Sequence, residues 1–263
     1  MVPTTALSES LSCFGFSADN ELYAKTFPDA IVLDDLCESH GCQGPDGVKR
    51  GANSLGGTFS FYFGHHITTV EGGMINTNDR ELYELMRLKR SHGMAREGDD
   101  FADYVKQYPD MHPQFLFMTD GYNFRSSDIN AVIGQCQLPR LNAIIEKRKK
   151  NLKKFTNIIE ANLDKFYPII WQEGNSNYAL PIICRTAEIA TRMKTIFNAN
   201  GVEHRPIVSG NLLHQPFLKG YKFGTPRKNA TVDILHNNGV YIGNNHFITD
   251  SDLDWLADLL TSI

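Results

Sequence analysis

A short apolar run that ends in two carboxylates constrains the fold of this chain more than any other sequence feature. Residues 30–33 read Ala-Ile-Val-Leu, and Asp34 and Asp35 follow directly. A continuous β-rich run of this length predicts a parallel strand that is buried on both faces. Ligands bind beyond the carboxyl ends of strands in open α/β sheets. The run therefore predicts an α/β fold and makes the two aspartates candidate site residues.

Strand and helix patterns alternate through the rest of the first half of the chain. Residues 58–63 and 73–77 predict two more strands, and residues 78–93 predict a helix that ends at a glycine. Residues 94–120 are rich in aromatic residues, Asp and Pro, which predicts a long loop. Ser127 is the expected cap of a short helix with one apolar face, formed by Ile129, Val132, Ile133 and Cys136.

A long amphipathic helix is expected over about residues 140–163. It would connect a large domain, residues 1–145, to a smaller C-terminal domain, residues 146–263. In the smaller domain, residues 178–184 predict a strand near a sheet edge, because Pro181 has no amide hydrogen to donate to a neighbouring strand. The chain is thus predicted to form two domains.

Composition and charge argue against several classes of protein. The net charge of -4 predicts no bulk attraction to nucleic acid or to an acidic membrane surface. The five cysteines are odd in number and include no Cys-x-x-Cys, which argues against a disulfide framework or structural zinc and favours the reducing cytoplasm. No apolar stretch approaches the length of a membrane span.

Residues 57–73 carry the most specific motif of the sequence. They read Gly-Thr-Phe-Ser-Phe-Tyr-Phe-Gly-His-His-Ile-Thr-Thr-Val-Glu-Gly-Gly. The segment resembles the cofactor-lysine segment of the sugar aminotransferases of the DegT/DnrJ/EryC1/StrS type, which use pyridoxal phosphate and read Ser-Phe-x-x-x-Lys-x-x-x-x-x-Glu-Gly-Gly. His65 occupies the lysine position. An amine can form a Schiff base with the cofactor aldehyde, whereas an imidazole cannot but can move a proton.

Further segments resemble the same family in the same order. Residues 33–41 resemble its acidic pyridine-binding motif, and residues 121–128 and 134–138 resemble its Gly-Tyr-Asn-Tyr-Arg motif and the segment after it. Residues 205–211 and 236–244 resemble the dehydratase branch, as do the Asp-x-Cys-Glu-Ser sequence and the paired histidines. That branch removes the 3-hydroxyl of nucleotide-linked 4-keto-6-deoxy sugars for deoxysugar biosynthesis.

The resemblance implies the α/β fold of pyridoxal-phosphate-dependent transferases, the aspartate aminotransferase type. A large domain would contain a mixed, mostly parallel sheet, and a small α/β domain would follow. The large domain is expected to be truncated, because the family's upstream phosphate cradle and stacking aromatic residue are not identifiable here. The resemblance also implies a homodimer with shared active sites.

Roles for five residues follow from the resemblance. Asp35 would keep the pyridine nitrogen of the cofactor protonated, and Glu38 would lie near the ring. Ser60 would donate to the phosphate, and Asn123 would reach the phosphate in the neighbouring subunit. His65 would be the base at the cofactor's methylene carbon and the acid that protonates the departing 3-hydroxyl. Pyridoxal or pyridoxamine 5'-phosphate would be held without a covalent bond.

The expected substrates are a GDP-linked 4-keto-6-deoxy sugar and glutamate. Three residues fall in segments where substrate contacts are expected, namely Arg205, His214 and Asn244. Simpler roles stay open for the others: Asp35 as a helix cap, Glu38 as a helix-start glutamate and His65 as a structural histidine.

Four alternatives stand beside a dehydratase, and the residues disfavour two of them. A metal site is disfavoured because adjacent histidines on an extended chain diverge and no His-x-x-x-His pair occurs. An iron–sulfur cluster is disfavoured because residues 71–125 contain no cysteine. Within the fold, the alternatives are a nucleotide-sugar aminotransferase-family protein of other chemistry, or a noncatalytic fragment or subunit that needs a complementary N-terminal part.

Overall fold

The computed structural model describes residues 7–221 and 229–263, and the chain divides into two compact units. The first unit comprises Met1–Cys13 and Ser17–Leu141, and the second comprises Phe14–Phe16 and Asn142–Ile263. Within the described residues, none of the helices has the length and apolar character needed to cross a membrane.

A four-stranded sheet forms the centre of the first unit. Its strands are β1 (Leu7–Leu11), β2 (Ile31–Asp35), β3 (Gly56–Ser60) and β4 (Gly73–Asn76), and they neighbour one another in that order. β1 pairs with β2 and β2 with β3 in parallel, whereas β3 and β4 are antiparallel. The predicted α/β fold with a mixed, mostly parallel sheet is confirmed.

The strand predicted at residues 30–33 is central in the sheet, but its burial was predicted wrongly. Ile31 is exposed, the next two residues are half-buried, and only Asp34 is fully buried. The helix that precedes this strand, α1 (Asn20–Thr26), contains no buried residue and so covers little of the sheet. The apolar run therefore predicted the position of the strand correctly but not its burial.

Three more helices complete the first unit: α2 (Arg80–Arg90), α3 (Phe101–Gln107) and α4 (Asp128–Gln137). The predicted helix over 78–93 corresponds to α2, but the uninterrupted loop predicted over 94–120 is wrong, since it contains α3. The N-terminal residue of α3, Asp100, makes no side-chain capping bond. Aspartate is a common N-cap residue, but the Asp100 side chain does not cap this helix.

A distant carboxylate supplies the missing cap of α3. Glu84 on α2 is buried, and its side chain accepts hydrogen bonds from the amides of Asp99 at 2.9 Å and Asp100 at 3.2 Å. Burial raises the pKa of Glu84, but these two donors, with Tyr104 and Arg80, outweigh burial, and the net pKa is lowered. Glu84 thus fixes the start of α3 as an anion.

Helix α4 has the predicted apolar face, but this face is largely exposed. Its cap is as predicted, because the Ser127 side chain accepts from the amide of Asn130. However, Ile129 is 75% exposed and Val132 is 58% exposed. The helix turns its polar face toward its own unit and leaves its apolar face outside.

The second unit contains a three-stranded antiparallel sheet in the order β5-β7-β6. Pro181 lies in the edge strand β5, as its missing amide hydrogen predicted. The strands are β5 (Ala179–Ile183), β6 (Arg205–Pro206) and β7 (Gly239–Gly243), and the helices are α5 (Leu141–Glu160), α6 (Ala187–Ala199), α7 (Ala230–Asn238) and α8 (Asp250–Thr261). Buried side chains from both layers form one core, including Leu152, Phe155, Phe166, Leu180, Met193, Phe197 and Leu253.

Glu84→Gln is expected to destabilise the fold at neutral pH by roughly 1–3 kcal/mol, because a charged acceptor of two backbone donors is lost. The pKa of Glu84 is lowered by folding, so its stabilisation is present above the unfolded pKa and is lost as pH falls through the folded pKa. Urea unfolding at neutral and acidic pH measures both effects. Glu81→Gln, on the same helix and exposed, is the control, and equal loss in both variants would contradict the assignment.

Candidate active site

Asp35 and Ser60 lie on one face of two neighbouring strands. The register pairs Asp35 of β2 with Thr58 of β3, and the Thr58 hydroxyl lies 3.4 Å from the Asp35 carboxylate and donates to it. Because side chains alternate along a strand, Ser60 lies on the same face of β3 as Thr58. Asp35 is half-buried. The carboxyl ends of β2 and β3 therefore present a carboxylate and two hydroxyls together.

The two adjacent aspartates have different roles. Asp34 points to the other face of the strand and is buried, where its two oxygens accept from the Asn20 side chain at 2.8 Å and the amide of Gly51 at 2.7 Å. Asn20 in turn accepts from Ser10 at 2.6 Å. Asp34 is therefore a structural anchor, and Asp35 is the residue left at the site.

Turns rather than a helix follow Asp35. Its carboxylate accepts from the amide of Cys37 at 2.9 Å, and the amide of Ser39 donates to the carbonyl of Leu36 at 3.0 Å. Glu38 is half-buried within this turn. The readings of Asp35 as a helix cap and of Glu38 as a helix-start residue are therefore wrong.

The pKa of the Cys37 thiol depends on burial and on the nearby Asp35 carboxylate. Burial, then the hydrogen bond to Asp35 and its negative charge, raise the pKa of Cys37 to about 12. Its sulfur lies 3.9 Å from the Thr58 hydroxyl. Cys37 is therefore a neutral thiol beside the carboxylate at physiological pH.

His65 lies on a closed loop that begins directly after β3. The amide of Phe61 donates to Gly72 at 2.9 Å, and the carbonyl of Phe61 accepts from Thr69 at 2.9 Å. The amide of His65 donates to the carbonyl of Tyr62 at 3.1 Å, so the histidine sits in a tight turn. The extended segment expected around the paired histidines is thus wrong.

Three imidazoles cluster on this loop and the turn after β2. The ring of His40 lies 5.3 Å from that of His66 and 6.4 Å from that of His65, and it packs 5.8 Å from both Phe59 and Phe61. His40 and His66 are buried, whereas His65 is half-buried. Of the three, His65 is therefore the one that a ligand can reach.

Asn123 is held by a different part of the first unit. Its backbone bridges to Ser91, just after α2, and its side chain accepts from Arg125 at 3.2 Å. Beside it, the exposed rings of Tyr122 and Phe124 stack with centroids 5.0 Å apart. Its predicted phosphate contact in a neighbouring subunit stays a prediction.

Arg205 and His214 lie on the surface of the second unit. Arg205 pairs with Glu203 at 2.7 Å, and the His214 ring stands edge-on to His236 with centroids 5.0 Å apart. Both side chains are exposed. Their substrate contacts stay predictions.

Asn244 has a structural role, which corrects the substrate contact expected of it. Its side chain is 0% exposed and donates to the carbonyls of Arg148 at 3.0 Å and Asn177 at 2.9 Å. Its side-chain oxygen accepts from Asn151 at 3.2 Å. Because both amide hydrogens and the oxygen are used within the core, the residue fixes backbone rather than ligand.

Sequence reasoning missed Thr58 and His40 at the site. Thr58 precedes Ser60 by two residues, so strand alternation could have placed it on the same face. His40 lies within the motif at residues 33–41, but its place beside the His65 loop depends on tertiary packing, which that motif does not indicate. Across residues 7–221 and 229–263, no group of three or more His, Cys, Asp or Glu side chains could hold a metal ion.

The fold and these motifs define the class of the protein. A model of the DegT/DnrJ/EryC1/StrS aminotransferase family matches residues 23–260, so the chain belongs to this family, as its motifs predicted.

The chain is 33% identical over 243 residues to GDP-4-keto-6-deoxy-D-mannose 3-dehydratase of Escherichia coli O55:H7. That alignment covers 88% of this chain and 61% of the relative, so the chain spans only part of the relative's length. Among solved structures, the E. coli GDP-4-keto-6-deoxy-D-mannose-3-dehydratase with bound hydrated PLP has a TM-score of 0.86 at 27% identity, covering 99% of this chain and 68% of that one. A second structure of GDP-4-keto-6-deoxymannose-3-dehydratase, with a trapped PLP-glutamate geminal diamine, has the same TM-score and identity and covers 99% of this chain and 69% of that one.

Cys37 is expected to resist alkylation at mildly alkaline pH, because its raised pKa keeps the thiol protonated. The exposed Cys136 serves as an internal reference. Asp35→Asn removes the negative charge, so the pKa of Cys37 falls and its labelling by iodoacetamide speeds up relative to Cys136. Mass spectrometry of the labelled peptides measures the two rates, and an unchanged ratio would show that Asp35 does not set the local field.

Proposed function

We propose that this chain is a pyridoxal-phosphate-dependent nucleotide-sugar 3-dehydratase that acts on a GDP-linked 4-keto-6-deoxy sugar with glutamate as the amino donor. The observation that carries the proposal is the placement of Asp35 and Ser60 on one sheet face. The loop that follows carries His65, to which the motif resemblance assigns the cofactor-lysine position. The similarity to GDP-4-keto-6-deoxy-D-mannose 3-dehydratase over 88% of the chain supports it.

The donor set fits the proposed cofactor, pyridoxal or pyridoxamine 5'-phosphate. A half-buried carboxylate such as Asp35 suits a protonated ring nitrogen, and the hydroxyl of Ser60 can donate to a phosphate oxygen. When bound, the cofactor supplies an electron sink for the carbanion formed in the reaction. Asp35 maintains the positive charge of the ring, and Glu38 lies on the adjoining turn.

His65 carries the proton in this proposal. Residues 50–88 contain no lysine, and the amine of Lys89 pairs with Asp120 at 3.0 Å. The segment of residues 50–88, which contains Ser60 and His65, therefore offers no amine that would bind the cofactor covalently. An imidazole can accept a proton and then protonate the 3-hydroxyl as it leaves, because its two forms interconvert near neutral pH.

His65→Asn is expected to lower formation of the 3-deoxy product at least about a hundredfold, because the proton carrier is removed. Cofactor affinity should change little, since Asp35 and Ser60 remain. NMR detects the product and absorbance titration measures affinity, with the exposed His112→Asn as control. Full activity of His65→Asn would contradict the proposal, and amino-sugar formation by the unmodified chain would favour the aminotransferase alternative.

The chain alone is expected to bind pyridoxal phosphate weakly, because every proposed contact is noncovalent. Tight stoichiometric binding in an absorbance titration would contradict this expectation. The alternative function is a noncatalytic subunit that needs a complementary N-terminal part. Product formed only after a polypeptide with that part of a related dehydratase is added would favour this alternative.

The proposed assembly is a homodimer with shared sites. It is supported by exposed apolar side chains on the first unit, among them Ile129 and Val132 of α4 and the rings of Tyr122 and Phe124 beside Asn123. Exposed apolar side chains in such number are typical of interaction sites.

Val132→Asp is expected to weaken the homodimer at least about tenfold, because a charge is placed on an apolar interface. Analytical ultracentrifugation over a concentration series measures the dissociation constant. Ile170→Asp is the matched control, since Ile170 is an exposed isoleucine of the second unit. An unmodified chain that stays monomeric at every concentration would contradict the assembly.

A further inference from the structure

Three hydrogen bonds join the two ends of the histidine loop, residues 61–72. The amide of Phe61 donates to Gly72 at 2.9 Å, and the carbonyl of Phe61 accepts from the amide of Thr69 at 2.9 Å and from the Thr68 hydroxyl at 3.0 Å. These bonds fix the two ends of the loop. They leave residues 62–67, which include His65, to be held by other contacts.

Two side chains of α4 form hydrogen bonds to the backbone near the C-terminal end of this loop. The amide group of Gln137 makes two bonds with the backbone of Thr68: its oxygen accepts from the Thr68 amide at 3.1 Å, and its nitrogen donates to the Thr68 carbonyl at 2.7 Å. The Asn130 side chain donates to the carbonyls of Thr69 at 2.6 Å and Glu71 at 3.1 Å. Four hydrogen bonds therefore join one helix to three residues of the loop, Thr68, Thr69 and Glu71.

A glycine lets the helix come this close. Positions 130, 134 and 137 lie on one face of α4 because they are separated by four and three residues. A β-carbon at Gly134 would lie only 3.0 Å from the Thr69 methyl carbon. The polar inward face of α4 thus packs closely against the loop, and its apolar face therefore points outward.

One residue in residues 68–71, the segment bonded to α4, has an unfavourable backbone conformation. Val70 has φ of 71°, in the left-handed region that β-branched residues avoid. Its amide donates to the Thr68 hydroxyl at 2.9 Å, and the Thr69 hydroxyl donates to Glu71 at 2.8 Å. Such a conformation persists only where the surroundings determine it. The contacts from Gln137 and Asn130 help to hold it.

We propose that Gln137 and Asn130 are positioning residues that hold the histidine loop in the shape that presents His65. They act through the backbone of residues 68–71 and not by contact with a substrate or cofactor. The consequence for catalysis rests on the proposed function, whereas the consequence for loop order does not.

Gln137→Met keeps the size of the side chain and removes both bonds to Thr68. Hydrogen exchange of the amides in residues 61–72 is expected to speed up about tenfold, since two bonds that resist local opening are lost. Gln135→Met is the control, because Gln135 is exposed on the same helix. Equal exchange in the two variants overturns the proposal, whether or not the protein has dehydratase activity.

A positioning role also predicts a change at His65 itself. NMR of the His65 ring should show one sharp resonance in the unmodified chain and a broadened or shifted one in Gln137→Met. In assays at saturating cofactor, kcat falls while KM is nearly unchanged. A His65 resonance identical to that of the unmodified chain would overturn the proposal, while absent turnover in the unmodified chain counts only against the proposed function.

Gln137→Glu provides a test in a variant of nearly unchanged shape. A carboxylate can still accept from the Thr68 amide but cannot donate to the Thr68 carbonyl, and protonation restores the donor. The comparison is the amide hydrogen-exchange rate of residues 61–72 in Gln137→Glu, divided by the rate in the unmodified chain at the same pH. This ratio is therefore expected to decrease as pH falls. Exchange that does not depend on the protonation of Glu at this position overturns the proposal.

Discussion

The parallel pairing of β2 with β3 is the constraint on which the candidate site depends. It places Asp35 opposite Thr58, and strand alternation then puts Ser60 on the same face. A single register thus brings a carboxylate and two hydroxyls together, and the chain leaves β3 directly into the loop that carries His65. A slip by one residue would exchange Asp35 for Asp34, whose oxygens hold Asn20 and Gly51.

Helix α4 connects the two proposals made for the first unit. Its inward face, with Asn130, Gly134 and Gln137, contacts the histidine loop, and its outward face exposes Ile129 and Val132, where the proposed second copy would bind. The same helix would therefore respond to assembly on one side and position the loop on the other. This division of faces is the reverse of the usual amphipathic pattern, in which apolar residues face the core of their own domain.

The sequence predicted those structural features that depend only on residues close together in the chain. The Ser127 cap, the edge position of Pro181 and the central parallel strand before Asp35 follow from side-chain and backbone properties of nearby residues. Long-range contacts decided the rest. The start of α3 depends on Glu84, 15 residues before the nearer of the two amides it accepts from. The inverted orientation of α4 depends on a loop 61 residues before Asn130, which no pattern within the helix itself could indicate.

The central claim is that Asp35 holds the pyridine ring of the cofactor, and ¹⁵N NMR of pyridoxal phosphate labelled at the ring nitrogen tests it most directly. With the unmodified chain at saturating concentration, the account predicts that the ring nitrogen stays protonated well above the pH at which it loses its proton in the free cofactor. With Asp35→Asn it should titrate as in the free cofactor. A ring nitrogen that titrates identically with both proteins would contradict the account.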